Sequence, residues 1–328
     1  MSSRKPLVAV VGATGTTGAS ITKALLASGD FRVAVIVRPS SLSKSIVSEF
    51  RASGAEIRTG DVQDGIESLK KTLEGADILV SAVVAWSINE QRDLIRAAKE
   101  VQVQRVVPCD FGTPGAKGVR ALHDEKLAIH DFIKELGVPY TFIDVGWWMQ
   151  LYLPLPLRSR LPLPLKEMTW KIYGDGEARN LLTNNQNIGK YVARILADMR
   201  TLNHSVIVWE DEVSQAEAHA LGERLSGEGD ALKEKRIVAT KEDYLSAAAA
   251  AKEVLAKDPS DSGAHMIESW NEYQVSMYVL RENTLENAKR LGYLDVRELY
   301  PNITPLPFEE YAKQFYAGED PGDAWSRA

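Results

Sequence analysis

The chain of 328 residues is 45% hydrophobic and 26% charged, carries a formal net charge of -6, and contains no run of lysines and arginines. That length suits one large domain or two packed ones, and that charge excludes the basic footprint of a direct nucleic-acid or membrane-surface binder. Cys109 is the single cysteine, no apolar stretch approaches the roughly 18 residues of a membrane span, and Met-Ser-Ser-Arg-Lys-Pro leads into a strand and not a signal peptide, so the expectation is a cytoplasmic protein without disulfides.

Short β-branched runs alternate with amphipathic stretches through the first half. The runs predict strands over 7–11, 32–37, 56–58, 77–81, 105–107 and 140–145, and apolar positions three to four residues apart predict helices over 16–27, 42–52, 66–73, 89–100 and 123–136. Such alternation implies crossovers between parallel strands, hence an α/β fold with a doubly wound, Rossmann-type sheet over residues 1–150. Ligands of these sheets sit beyond the carboxyl ends of the strands.

The first of those ends reads Gly12-Ala13-Thr14-Gly15-Thr16-Thr17-Gly18. The first glycine allows a tight turn, the second lets backbone approach a pyrophosphate, the third permits close helix packing, and the helix N-terminus favours the anion. Gly12, Thr14, Gly15, Thr16, Thr17 and Gly18 are therefore candidates for holding a dinucleotide. Where an NAD-preferring site places an acidic residue after the second strand, Arg38 stands instead, with Ser40 and Lys44 close behind. A guanidinium matches a 2′-phosphate in charge and fork geometry, which points to NADPH/NADP. After the third strand Asp61 is a candidate acceptor for the adenine amino group, and after the fourth Ser81, Ala82 and Val83 are small enough to lie along the cofactor.

The fifth strand runs into Val107-Pro108-Cys109-Asp110-Phe111-Gly112, which adds Cys109 and Phe111 to the cofactor side. A Gly-rich loop then leads to a helix carrying His123-Asp124-Glu125-Lys126. A lysine in the early turns of a helix that starts on the ligand side can reach back over a nicotinamide, bind its ribose and polarise a substrate oxygen as hydride arrives. Lys126 is the catalytic candidate, and His123, with its near-neutral intrinsic pKa, is a second candidate for supplying a proton.

The GATGTTG turn, Arg38, the Gly60-Asp61 corner, RVVPCDFG from Arg105 to Gly112 and KLAIHDFIKELGVPYTFI from Lys126 to Ile143 resemble the atypical short-chain dehydrogenase/reductase group that contains the isoflavone-reductase-like and NmrA-like proteins. Residues 187–208 and 299–316 are similar to that group's middle and C-terminal segments. The resemblance implies an NADPH-dependent reductase in which the lysine at Lys126 assists catalysis and the tyrosine of typical short-chain dehydrogenases is missing; Leu122 stands where a YxxxK pair would put it. Two positions depart from the group. Cys109-Asp110 replaces the middle of Pro-Ser-Glu-Phe-Gly, and Gly146-Trp147-Trp148 ends the sixth strand where a polar asparagine is common, which implies a differently shaped pocket.

Residues 149–170 contain Leu-Pro-Leu-Pro-Leu twice, and alternating prolines exclude a helix interior or a central strand. The expectation is an extended segment that leaves the sheet and lies over the active site. Trp147, Trp148, Met149, Tyr152 and Trp170 then form a broad apolar wall for a planar aromatic or polyketide-like substrate; an inter-domain core or a homodimer contact is the alternative. A helix over 188–197, a strand over 205–208, a capping box at Ser214 to Glu217, an Ala-rich helix from Thr240 to Ala256 and a long helix over 265–281 complete the pattern. They predict a smaller α/β substrate-binding lobe over 151–328, with 187–210 returning to the first domain. No zinc-ligand spacing, nucleophile elbow or phosphotransfer motif appears, so no metal is expected and catalysis is expected from the cofactor.

The function these residues favour is NADPH-dependent reduction of a small aromatic, polyketide-like or unsaturated carbonyl compound in secondary metabolism. Two alternatives stand beside it: an NmrA-like dinucleotide sensor that binds a protein partner without catalysis, and a family member recruited to a non-redox cyclisation or isomerisation.

Overall fold

A computed structural model describes residues 4–326. Leu7–Val11 forms β1 with every residue buried, as a β-branched run covered on both faces of a parallel sheet requires. There follow α1 (Thr16–Ser28), β2 (Arg32–Val37), α2 (Ser45–Ala52), β3 (Glu56–Thr59), α3 (Ile66–Thr72), β4 (Ile78–Ser81), α4 (Gln91–Glu100), β5 (Arg105–Val107), α5 (Ala121–Leu136) and β6 (Thr141–Val145). Beyond them lie β7 (Trp147–Trp148), α6 (Leu163–Trp170), β8 (Lys171–Tyr173), β9 (Arg179–Thr183), α7 (Ile188–Ala197), β10 (His204–Val208), β11 (Asp211–Ser214), α8 (Gln215–Leu225) and α9 (Gly229–Glu234). The chain closes with β12 (Ile237–Ala239), α10 (Lys241–Leu255), α11 (Ser262–Gln274), α12 (Leu285–Arg290), β13 (Leu294–Asp295), α13 (Val296–Leu299), α14 (Phe308–Ala317) and α15 (Gly322–Ser326).

Five parallel strands run in the order β3-β2-β1-β4-β5. A single parallel bridge from Val106 to Tyr140 joins β5 to β6, and β6, β10 and β13 carry the parallel arrangement onward. The doubly wound α/β fold expected from the alternation is the one found. Its strand order reverses between β1 and β4, and the crevice at such a switch point is where these sheets take ligands.

Residues of α7 and β10 belong to the same core as β1 to β6. A second core gathers Met149, Tyr152, Leu153, Leu155, Met277, Phe308 and Phe315. It is bordered by a small mixed sheet in which β7 runs parallel and β11 antiparallel to β9, and by the parallel pair β8 and β12.

The Leu-Pro segment differs from the expectation. Leu153 and Leu155 are fully buried in the second core, and the second run opens α6, with Pro162 as N-cap and Pro164 in the first turn. A proline there forfeits no intrahelical hydrogen bond. Arg158 donates to the carbonyls of Ser226 and Tyr316, which fastens the segment to the ends of α8 and α14. The long helix expected over 265–281 also starts earlier, at Ser262 with Asp261 as its cap, and gives way to a π turn at Val275–Val279.

Candidate active site

The ends of β1, β4, β5 and β6 open into a cleft of about 570 Å³, a size typical of small-molecule sites. One wall begins at Gly15, Thr16 and Thr17. Gly12 holds φ +75, and a Cβ there would come 2.1 Å from the Ala82 carbonyl oxygen, while one on Gly18 would come 2.2 Å from the Gly12 carbonyl oxygen. Neither position tolerates a side chain without moving backbone. Gly15 is exposed and caps α1 with no side-chain hydrogen bond and no acidic residue in the first turn, so the helix end presents its positive pole to a ligand. Thr14 is half-buried in the same turn and does not line the cleft.

Arg38, Ser40 and Lys44 are exposed around the short helical turn Pro39–Ser41 that follows β2. The Arg38 guanidinium has no hydrogen bond or ion pair among the described residues. Asp61 follows β3 and accepts from the Gln63 N–H at 3.3 Å. Ala82 and Val83 line the cleft, and beside them the Ser81 hydroxyl is buried without a protein partner. A glycine cradle, an uncapped helix end and an unpaired cation along one sheet edge fit a phosphorylated dinucleotide.

Cys109 lines the cleft with its Sγ 3.1 Å from the Val83 carbonyl oxygen. Burial pushes its thiol up to about 11, so it stays protonated and is a neutral wall, not a nucleophile. Phe111, at φ +43, and Gly112 are pinned to β6: the Phe111 N–H donates to the Ile143 carbonyl at 3.0 Å and the Val145 N–H to the Gly112 carbonyl at 2.8 Å.

Lys126 also lines the cleft and is only 8% exposed. Its Nζ donates to the Asp110 carbonyl oxygen at 2.6 Å. Burial opposes its charge, but the carboxylates of Asp110 and Asp144 favour the ammonium and its pKa is raised. Behind it, the His130 Nε2–H donates to Asp110 Oδ1 at 2.8 Å while Asp110 Oδ2 is buried without a partner. Asp144 takes a 2.6 Å hydrogen bond from the Tyr293 hydroxyl, and burial together with Asp110 pushes its carboxyl up to about 6.

Two expectations need correction. His123 does not reach the cleft: it is buried with Nε2 3.0 Å from the Gly115 carbonyl oxygen, and burial with the nearby charges of Arg120 and Lys126 holds its pKa down to about 3. A neutral imidazole whose N–H is committed to a carbonyl has no proton to offer a substrate near pH 7. The aromatic wall also divides. Trp147 and Trp148 line the cleft, whereas Met149 is fully buried, the Tyr152 hydroxyl donates to the Val213 carbonyl at 3.0 Å, and Trp170 Nε1–H donates to the Leu155 carbonyl at 2.7 Å. Met149 and Tyr152 belong to the second core, and Trp170 is buried against the Leu-Pro segment.

In their place α11 contributes His265, Met266, Ser269, Trp270 and Tyr273. Trp270 meets Trp147 edge to face at 5.7 Å between ring centroids. The aromatic spacing of Trp270 and Tyr273 is visible in the sequence, but nothing local says which surface that helix covers.

A family model described as the NmrA-like family matches residues 4–243. The chain belongs to the NmrA-like family. The resemblance read from its motifs is borne out, and the relatives of this NmrA-like protein carry the names of reductases and dehydrogenases. It is 35% identical to asnovolin J 5',6'-dehydrogenase of Aspergillus novofumigatus, with 95% of each chain covered. It is 29% identical to phenylcoumaran benzylic ether reductase of Betula pendula over 95% of this chain and 99% of that one. Among solved structures, the complex of Vitis vinifera leucoanthocyanidin reductase with NADPH superposes with a TM-score of 0.76 at 23% identity, covering 95% of this chain and 100% of that one.

Proposed function

We propose that this NmrA-like protein is an NADP(H)-dependent oxidoreductase acting on a small aromatic, polyketide-like or unsaturated carbonyl compound of secondary metabolism. The observation that carries the reading is the buried Lys126 lining an apolar cleft that the glycine turn after β1 also lines. Bound NADPH supplies hydride. The turn from Gly12 to Gly18 holds its pyrophosphate, Arg38 with Ser40 and Lys44 the 2′-phosphate, and Asp61 the adenine, while Ser81, Ala82, Val83, Cys109 and Phe111 flank its reactive half. The Lys126 ammonium would bind the cofactor ribose and the substrate oxygen, and Trp147 and Trp148 would hold the substrate ring. The names of the relatives support redox chemistry and include both directions of it. A cytoplasmic location and a homodimer belong to the same proposal; among the described residues no helix is long and apolar enough to cross a membrane, and sedimentation decides the assembly state.

Calorimetric titration with NADPH, NADP+, NADH and NAD+, followed by nicotinamide absorbance with a panel of aromatic enones and aldehydes in both directions, tests the reading. It requires preference for the phosphorylated pair, and turnover that falls by roughly 100-fold or more in Lys126→Met, a far larger loss than any fall in cofactor affinity. Tight binding with no turnover across the panel moves the protein to the sensor reading.

A further inference from the structure

We propose that the Tyr273 hydroxyl joins the Lys126 ammonium in a two-donor subsite for the substrate's oxygen, so that α11 supplies the phenol that α5 lacks. The proposal rests on the oxidoreductase reading above and adds a residue to it. Leu122, one turn before Lys126, lines the cleft and has no donor to offer. Tyr273 lines the same cleft from α11.

Gly112 is where the two donors meet. A Cβ on it would lie 2.6 Å from the Tyr273 hydroxyl and 3.3 Å from Lys126 Nζ. The bare backbone there lets both groups approach the same Cα closely, and the Val145 N–H holds that backbone by donating to the Gly112 carbonyl.

The Tyr273 ring is clamped. The Arg120 guanidinium lies over one face at 4.6 Å from the centroid, and Trp147 packs against the ring at 4.9 Å with planes inclined by 55°. Arg120 is itself only 1% exposed and is held by the Thr113 hydroxyl at 3.0 Å and carbonyl at 2.8 Å. Beside Tyr273, Glu272 accepts the Ala121 N–H at 2.7 Å, which locks α11 to the first residue of α5. That bond fastens the start of the helix bearing Lys126 to the helix bearing Tyr273. By contrast, the hydroxyl makes no hydrogen bond among the described residues.

A fixed ring with an unengaged O–H, beside a cation in an apolar cleft, is a preorganised donor. Lys126 spends one of its three protons on the Asp110 carbonyl, so it can share a second with the same oxygen. Two donors this close to one backbone position suit a carbonyl oxygen that gathers negative charge, or the phenol or enolate oxygen that mimics it.

The probes are 2-naphthol and naphthalene, which differ by that oxygen alone, measured by equilibrium dialysis against the full-length protein saturated with NADP+. The wild type is expected to hold 2-naphthol about 10-fold or more tighter than naphthalene, as a charge-assisted hydrogen bond allows. Tyr273→Phe should lose most of that preference while its naphthalene affinity, NADP+ affinity and melting temperature stay at wild-type values. Gly112→Ala keeps both donors, inserts a methyl between them, and should lose the preference too. An undiminished preference in either variant, or none in the wild type, overturns the subsite. Failure of the oxidoreductase reading shows elsewhere, as absent turnover in the carbonyl panel with the naphthol preference intact.

Discussion

Arg38 follows β2 exposed and without a protein partner among the described residues, so its guanidinium is free to meet a ligand. Arg38→Ala is expected to weaken NADPH binding by about 10- to 100-fold and NADH hardly at all, because a charge-assisted contact to a phosphate is worth roughly 1.5–3 kcal/mol. Calorimetry with both dinucleotides checks this, and equal losses would detach Arg38 from the 2′-phosphate. This residue is legible in sequence because its meaning depends on one strand end. Lys126 and His123 show the limit. Both lie at the start of α5 and both carry chemistry by type, yet the loop before the helix folds back so that Gly115 takes the imidazole and Asp110 takes the ammonium. The path of a glycine-rich loop leaves no periodicity to read.

At the scale of elements, α7 was predicted from its apolar spacing and is found at Ile188–Ala197, but its seat against α1 was not visible. A Cβ on Gly189 would lie 2.0 Å from the Ser20 carbonyl oxygen. The Gly189 N–H donates to the Ser20 hydroxyl at 3.0 Å, and that hydroxyl donates to the Gln186 carbonyl at 2.8 Å. Gly189→Ala should therefore prise the helices apart at a cost of about 1–3 kcal/mol, read as a lower melting temperature. An unchanged melting temperature would mean that α7 can shift along α1 without loss. The Leu-Pro segment teaches the same lesson in reverse: proline spacing excluded a helix interior correctly, but did not exclude a helix start, and Pro162 and Pro164 occupy one.

At the scale of the molecule, each half keeps a neutral histidine out of water. Burial holds His123 down to about 3 and His219 down to about 4, each assisted by a neighbouring arginine, Arg120 and Arg236. In the unfolded chain a histidine titrates near about 6.5. A folded pKa below that value adds stability above pH 6.5, and this stability is lost progressively as pH falls toward the folded values, because the unfolded chain takes up the proton first. Urea midpoints should fall between pH 7 and pH 5, and His219→Gln should flatten the part of that fall that its ring supplies. A slope identical in wild type and variant would contradict the assignment. The burial of these two rings was not legible in the sequence, since burial in a core of this size is decided by everything packed around it.

The sequence by itself determined what short stretches decide: the alternation that makes a parallel sheet, the glycines that only one turn accommodates, the basic residue after β2 and the lysine at the start of α5. Each follows from contacts within a few residues or from a crossover repeated along the chain. Only the tertiary structure decided which aromatic side chains face the cleft, that His123 is sealed beneath a loop, and that α11 brings Tyr273 over Gly112 beside Lys126. Those outcomes depend on which distant surfaces bury one another, and a pattern of apolar positions states that a helix has a face to bury without stating against what.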